Sequence, residues 1–113
     1  MQLTEPTAGE LDRRVEIRRR TDLPYLDSEV RPDLTDQRKR WAKIEPVGAA
    51  TYAASVQTEA KVTHRVYLRH IDGITIDNEV VHGTTVYRVR RSMSMNGAKR
   101  FTMLEVEELG DGQ

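Results

Sequence analysis

The run KVTHRVYLRH, Lys61 to His70, alternates with a period of two: Val62, Val66 and Leu68 fall on one face, and Thr63, Arg65 and Arg69 on the other. Successive side chains of an extended chain point to opposite sides, whereas a helix returns to one face every three to four residues, so this run predicts a strand with one buried face. The same period recurs in RRVEIRRR, where Val15 and Ile17 oppose Arg14, Glu16 and Arg18, and in RKRWAKIEPV, residues 38–47. It recurs again in EVVHGTTVYRVRR, read as two short strands bent near His82-Gly83 with Tyr87 and Val89 alternating against Val86 and Arg88. In RFTMLEVEEL, Thr102, Leu104 and Val106 share a face opposite Phe101 and Met103. The turn dipeptides Asp72-Gly73 and Asn96-Gly97 punctuate these runs. About six short strands with no sustained helical period predict an all-β fold, a barrel or a sandwich.

Two stretches interrupt the pattern. Residues 21–37 carry Pro24, Pro32 and five acidic residues without a period, and are expected to form a long loop. Residues 48–60, GAATYAASVQTEA, are rich in small side chains and weakly helical at best, and are expected to be a second long connection. Residues 1–10, with Pro6 and Gly9, are expected to be a flexible arm, 11–109 the domain and 110–113 a flexible tail.

A chain of 113 residues is of single-domain size. With 37% hydrophobic residues, 32% charged and six aromatics, its core must be small and its surface ionic. Eighteen basic residues balance eighteen acidic ones, so no net field draws the molecule to nucleic acid or an anionic membrane. The absence of cysteine removes disulfides, thiol nucleophiles and thiolate metal sites. The first residues lack a basic start followed by an apolar run, and no apolar segment approaches the ~20 residues of a membrane span. The expectation is a soluble protein made in the cytoplasm.

Few residue groups suggest chemistry. His64, His70 and His82 are spaced too widely for a recognisable zinc motif, and no metal site is assigned to them. His70 and Asp72 form a base-acid pair near a turn, but no nucleophile, phosphate loop or oxyanion site accompanies it, so no catalytic residue and no cofactor are assigned. The clustered arginines of residues 13–20, 38–40 and 88–100 admit three readings: solvated strand faces paired with carboxylates, contacts to nucleic-acid phosphates, or contacts between subunits. Trp41, the single tryptophan, is expected to pack as an anchor in the core.

Taken in order, G-x-L-D-R-R-V-x-I from Gly9, W-A-K-I-E-P from Trp41, Y-L-R-H-I-D-G-I from Tyr67 and V-V-H-G-T-T-V-Y-R-V from Val80 resemble the phage head-tail joining family. These are the stopper, head-completion and head-tail adaptor proteins of long-tailed bacteriophages and prophages. Each motif alone is a plausible strand and turn; their order and spacing over residues 9–109 carry the resemblance. Where the family commonly has Tyr-Gly or Asp-Gly in the first loop, this chain has Asp22-Leu23-Pro24-Tyr25.

The resemblance implies a small β-barrel of about six short strands with two long loops. It also implies a homo-oligomeric ring, commonly of twelve subunits, in the virion neck. A portal or adaptor ring would lie above it, tail-terminator or tail-tube proteins below, and packaged DNA in its channel, with no membrane and no enzymatic step. By the same resemblance the segment 48–60 reaches the channel, with Thr51, Tyr52, Ser55 and Gln57 as candidates. The first loop lies among ring contacts, with Tyr25, Asp27, Glu29, Arg31, Arg38 and Arg40 as candidates. Trp41 would anchor the base of the channel segment in the barrel. The rival reading is a small barrel that binds nucleic acid through its arginines.

Overall fold

The computed structural model describes residues 4–24, 30–58 and 61–111. Six strands are present: β1 (Arg13–Pro24), β2 (Val30–Pro46), β3 (His64–Arg69), β4 (Asn78–His82), β5 (Thr85–Ser94) and β6 (Phe101–Asp111). One α-helix, α1 (Ala49–Gln57), joins β2 to β3. All strand pairs are antiparallel, and they close into a barrel in the order β1-β2-β3-β6-β5-β4.

The alternation seen in the sequence fills the barrel. Val15 and Ile17 of β1, Val66 and Leu68 of β3, Val80 of β4, Val89 of β5, and Leu104 and Val106 of β6 form one core with Ala42 and Tyr87. β-Branched and Leu side chains suit a small barrel, whose interior is wide enough only for side chains. Register shifts between Ile17 and Arg19, and between Val89 and Arg91, add the local bends that let a sheet close on itself. The bends at Gly83 (φ 62°) and at Asn96-Gly97 (φ 53° and 69°) require left-handed backbone, which the turn residues read from the sequence supply. A second apolar cluster lies on the outer face, where Tyr67, Met95 and Met103 pack with Met93 and Phe101.

Three expectations are corrected. Residues 21–37 are not one long loop: β1 and β2 stay paired from Arg19↔Thr35 to Pro24↔Val30, which leaves only 25–29 between them. Pairing of β1 with β4 ends at Arg19↔Asn78, so the last five residues of β1 and their β2 partners run past the barrel as a two-stranded ribbon. Such a ribbon has no core face to impose an apolar period. Its prolines are tolerated because each strand has one free edge.

Residues 48–60 are not an irregular connection, since nine of them form α1 after Gly48, whose carbonyl accepts from Tyr52 N–H at 3.0 Å. Finally, Trp41 is not a core anchor. It is 53% exposed, because the period that puts Ala42 inside and packs Ile44 against the core turns Trp41 outward.

Residues 4–11 lie against the barrel. Pro6 and Leu11 are buried, the Glu5 carboxylate accepts twice from Arg100 at 3.1 Å, and Glu10 pairs with Lys43 at 3.1 Å. The β3–β4 connection is held equally firmly. Asn78, 1% exposed, accepts from Thr75 N–H at 2.8 Å and donates to the Arg18 carbonyl at 3.3 Å, and the Thr102 hydroxyl accepts from Ile71 N–H at 3.2 Å.

Candidate functional site

α1 is built from residues that favour a helix but bury nothing: none of its nine residues is buried. Ala49, Tyr52, Ala53 and Val56 recur at i, i+3, i+4 and i+7, the spacing of an apolar stripe that ordinarily faces a core. Here all four are exposed, Tyr52 by 41% and Val56 by 39%, while the half-buried positions are the polar Thr51 and Ser55 on the opposite side. The helix therefore presents its apolar side to solvent. Residues 48–58 also contain no charged side chain, in a chain that is 32% charged.

The polar side tethers the helix. Ser55 Oγ donates to the Tyr52 carbonyl at 2.7 Å and accepts from Val62 N–H at 2.9 Å, which ties the last turn to the approach of β3. Thr58 Oγ1 closes the C-terminus by donating to the Ser55 carbonyl at 2.8 Å. At the other end Val47 N–H donates to the Thr63 carbonyl at 3.0 Å. Of the four channel candidates, Tyr52 and Gln57 are exposed, Thr51 is half-buried and Ser55 has a structural task. Val56 was missed, although its i, i+4 spacing from Tyr52 is visible in the sequence.

The ring-contact candidates divide differently. Tyr25, Asp27 and Glu29 lie outside the described residues, and Arg31 sits on the ribbon opposite Leu23. Arg38 donates to the Asp72 carbonyl at 3.0 Å and so braces the β3–β4 connection. The same connection is held by His70 Nε2 and Asp72 Oδ1 at 3.0 Å. Arg40 is exposed and donates to the Lys39 carbonyl at 2.9 Å.

Many of the other basic residues have acidic partners across strands. Arg18 pairs with Glu79 at 3.3 Å, Arg91 with Glu105 at 2.7 Å, Arg65 with the same Glu105 at 3.7 Å, and Arg90 with Glu107. Charges held this way are not arrayed along a path for a phosphate backbone. Arg14 instead lies 5.4 Å over the exposed Trp41 ring. The two are register partners on the outer face of β1 and β2, beside an open groove of about 460 Å³ lined by Arg14, Val15, Glu16, Lys39, Val81 and Gly83.

Glu10 is held below the ordinary carboxylate range, first by the Thr7 N–H 2.8 Å from its Oε1 and then by Lys43, whose ammonium the same contact stabilises. Burial raises the Tyr67 phenol, which donates to Glu45 at 3.0 Å, and burial followed by the nearby Glu108 raises Tyr87. His64 stands edge-on to the Tyr87 ring at 5.2 Å and lies 2.9 Å from the Thr63 hydroxyl. Among the described residues no group of three or more His, Cys, Asp or Glu side chains is placed to hold a metal ion, and no helix is long and apolar enough to cross a membrane.

The fold is similar to the solution structure of protein SF1141 from Shigella flexneri 2a, with a TM-score of 0.69 over 92% of this chain and 97% of that one, at 17% identity. No curated protein matches the chain in sequence. Over residues 6–109, nearly the whole chain and including the docked N-terminal residues, all strands and α1, the sequence matches the phage head completion proteins, and the chain belongs to that family.

Proposed function

We propose that this protein forms a ring at the portal vertex of a long-tailed phage or prophage, joins head to tail, and closes the DNA channel after packaging. Membership of the head completion family supports a structural role in the phage head. The finer reading rests above all on α1. A helix that exposes its apolar stripe and carries no charge is poorly suited to a monomer but well suited to a place where identical copies converge. On a rotation axis every residue is repeated in each subunit, so a single charge there becomes a ring of like charges with mutual repulsion. Ala49, Ala53 and Ala54 allow close approach, while Tyr52, Val56 and Gln57 are the side chains long enough to meet across the axis. Portal or adaptor subunits on one side and tail proteins on the other are the partners this placement implies.

The rival reading, a nucleic-acid module, is disfavoured by the carboxylates that engage Arg18, Arg65, Arg90, Arg91 and Arg100. Disruption of the gene in its parental phage tests the proposal by electron microscopy of the lysate. Separate tails beside tailless, largely emptied capsids are expected; intact tailed particles with full heads would overturn it. Complementation with Tyr52→Ala, Gln57→Ala protein is expected to restore tail attachment less well than wild type and to leave DNA leaking from the heads. A flat titration of the purified chain against DNA at low salt would dismiss the nucleic-acid reading.

A further inference from the structure

We propose that the outer groove beside Trp41 receives the acidic β1–β2 ribbon of a second copy of this chain. Residues 21–36 carry five acidic side chains, Asp22, Asp27, Glu29, Asp33 and Asp36, against a single Arg31, interspersed with Leu23, Tyr25, Leu26, Val30 and Leu34. The groove offers the complement. Arg14 and Lys39 outnumber Glu16 along its walls, Val81 adds an apolar side chain, and Gly83 leaves room at its end. Trp41 borders it as the register partner of Arg14, two residues from Lys39 on the same strand. Trp41 is exposed with Arg14 stacked on it, and Trp and Arg are both among the residue types enriched where binding energy concentrates at protein interfaces.

The two surfaces cannot meet within one molecule. Arg14 and Pro24 are ten residues apart on one continuous strand, paired with β2 on both sides of the register shift at Arg18, and at ~3.3 Å per residue the ribbon ends about 33 Å from the groove, directed away from it. The 51 Å long dimension of the molecule agrees with such a projection. A complementary pair of surfaces that one chain cannot bring together is satisfied by a neighbour, and each neighbour then presents its own ribbon to the next. That is a heterologous contact, which closes into a ring when its rotation allows. The proposal deepens the ring reading and rests on it for its biological setting, while the contact itself is testable in isolation.

Two full-length variants separate the surfaces. Arg14→Glu with Lys39→Glu spoils the groove and keeps the ribbon, whereas Asp27→Lys with Glu29→Lys spoils the ribbon and keeps the groove. The substituted groove side chains lie on the outer face, and melting midpoints matching wild type are the check that both variants fold. Self-association is read from the Trp41 indole N–H signal in NMR dilution series and from sedimentation. Wild type is expected to associate with a shift at Trp41 that weakens as salt rises. Each variant alone should associate at least about tenfold more weakly, and an equimolar mixture should recover a complex that stops at one copy of each. A mixture no better than either variant alone overturns the proposal, as does a wild-type Trp41 signal unchanged up to millimolar concentration. Either result leaves the lysate phenotype standing as the measure of the ring function. Conversely, a recovered pair with an unaltered lysate would establish the contact and remove its role in head completion.

Discussion

Leu104 and Tyr52 are both large, largely apolar side chains in regular structure, and their surroundings are opposite. Leu104 has no exposed surface and sits among strands contributed from around the barrel, whereas Tyr52 has 41% of its surface open on a helix that buries nothing. Inside the barrel apolar surface has been removed from water, the largest favourable term in folding. On α1 it has been left in water, where it adds little to the stability of the single chain. The difference separates two tasks: the barrel holds the shape, and the segments that leave it, α1 and the ribbon, are available for contacts the monomer does not make.

Substitutions at the two residues test that separation most sharply. Leu104→Ala is expected to destabilise the fold by about 2–5 kcal/mol, because it removes buried methyl groups and leaves a cavity among close-packed neighbours. A urea unfolding midpoint would register the loss. Within the barrel's polar supports, Asn78→Ala should cost about 1–3 kcal/mol, since it leaves the Thr75 N–H and the Arg18 carbonyl without their side-chain partner. Tyr52→Ala with Val56→Ala should change stability by about 0.5 kcal/mol or less while impairing assembly in a complementation assay. A loss as large as that of Leu104→Ala would mean the helix packs on the barrel after all, and the comparison would break.

The smallest expected effect lies where the N-terminal residues meet the barrel. Because the folded-state Glu10 carboxyl titrates below its unfolded value, its contribution to stability is complete above the ordinary Glu value of about 4.3 and is lost as pH falls through the lower folded value. Glu10→Gln should therefore melt below wild type at neutral pH and approach it in acid. Melting curves that stay separated down to the lowest pH would show that the contact with Lys43 is not the cause.

The strands inside the barrel were legible because a buried face writes itself as alternation: Val15 and Ile17, Val66 and Leu68, Leu104 and Val106 all point inward as the period requires. The ribbon was not legible for the same reason, since a pair of strands with no core beneath it has no such alternation to display. Trp41 was misplaced by giving weight to its size over its position, although Ala42 and Ile44 already occupied the inner face. α1 was missed as a helix because it is nine residues long and rich in small side chains; its exposed stripe is detectable only once the barrel is known to lie on the other side. The pairing of Arg65 and Arg91 with one carboxylate, Glu105, depends on β3 and β5 flanking β6, a neighbourhood set by barrel closure rather than by local sequence.

Barrel closure also bears on what happens when many copies accumulate before they are used. An open sheet presents unpaired amides and carbonyls along its edges and invites indiscriminate strand addition, the route by which β proteins aggregate. Here each strand has neighbours on both sides, and unpaired backbone is confined to stretches where a strand outruns its neighbour, the ribbon foremost. Charge along that ribbon makes like copies repel there. Copies built this way are shielded from indiscriminate strand addition and are left to meet one another through surfaces shaped for the purpose.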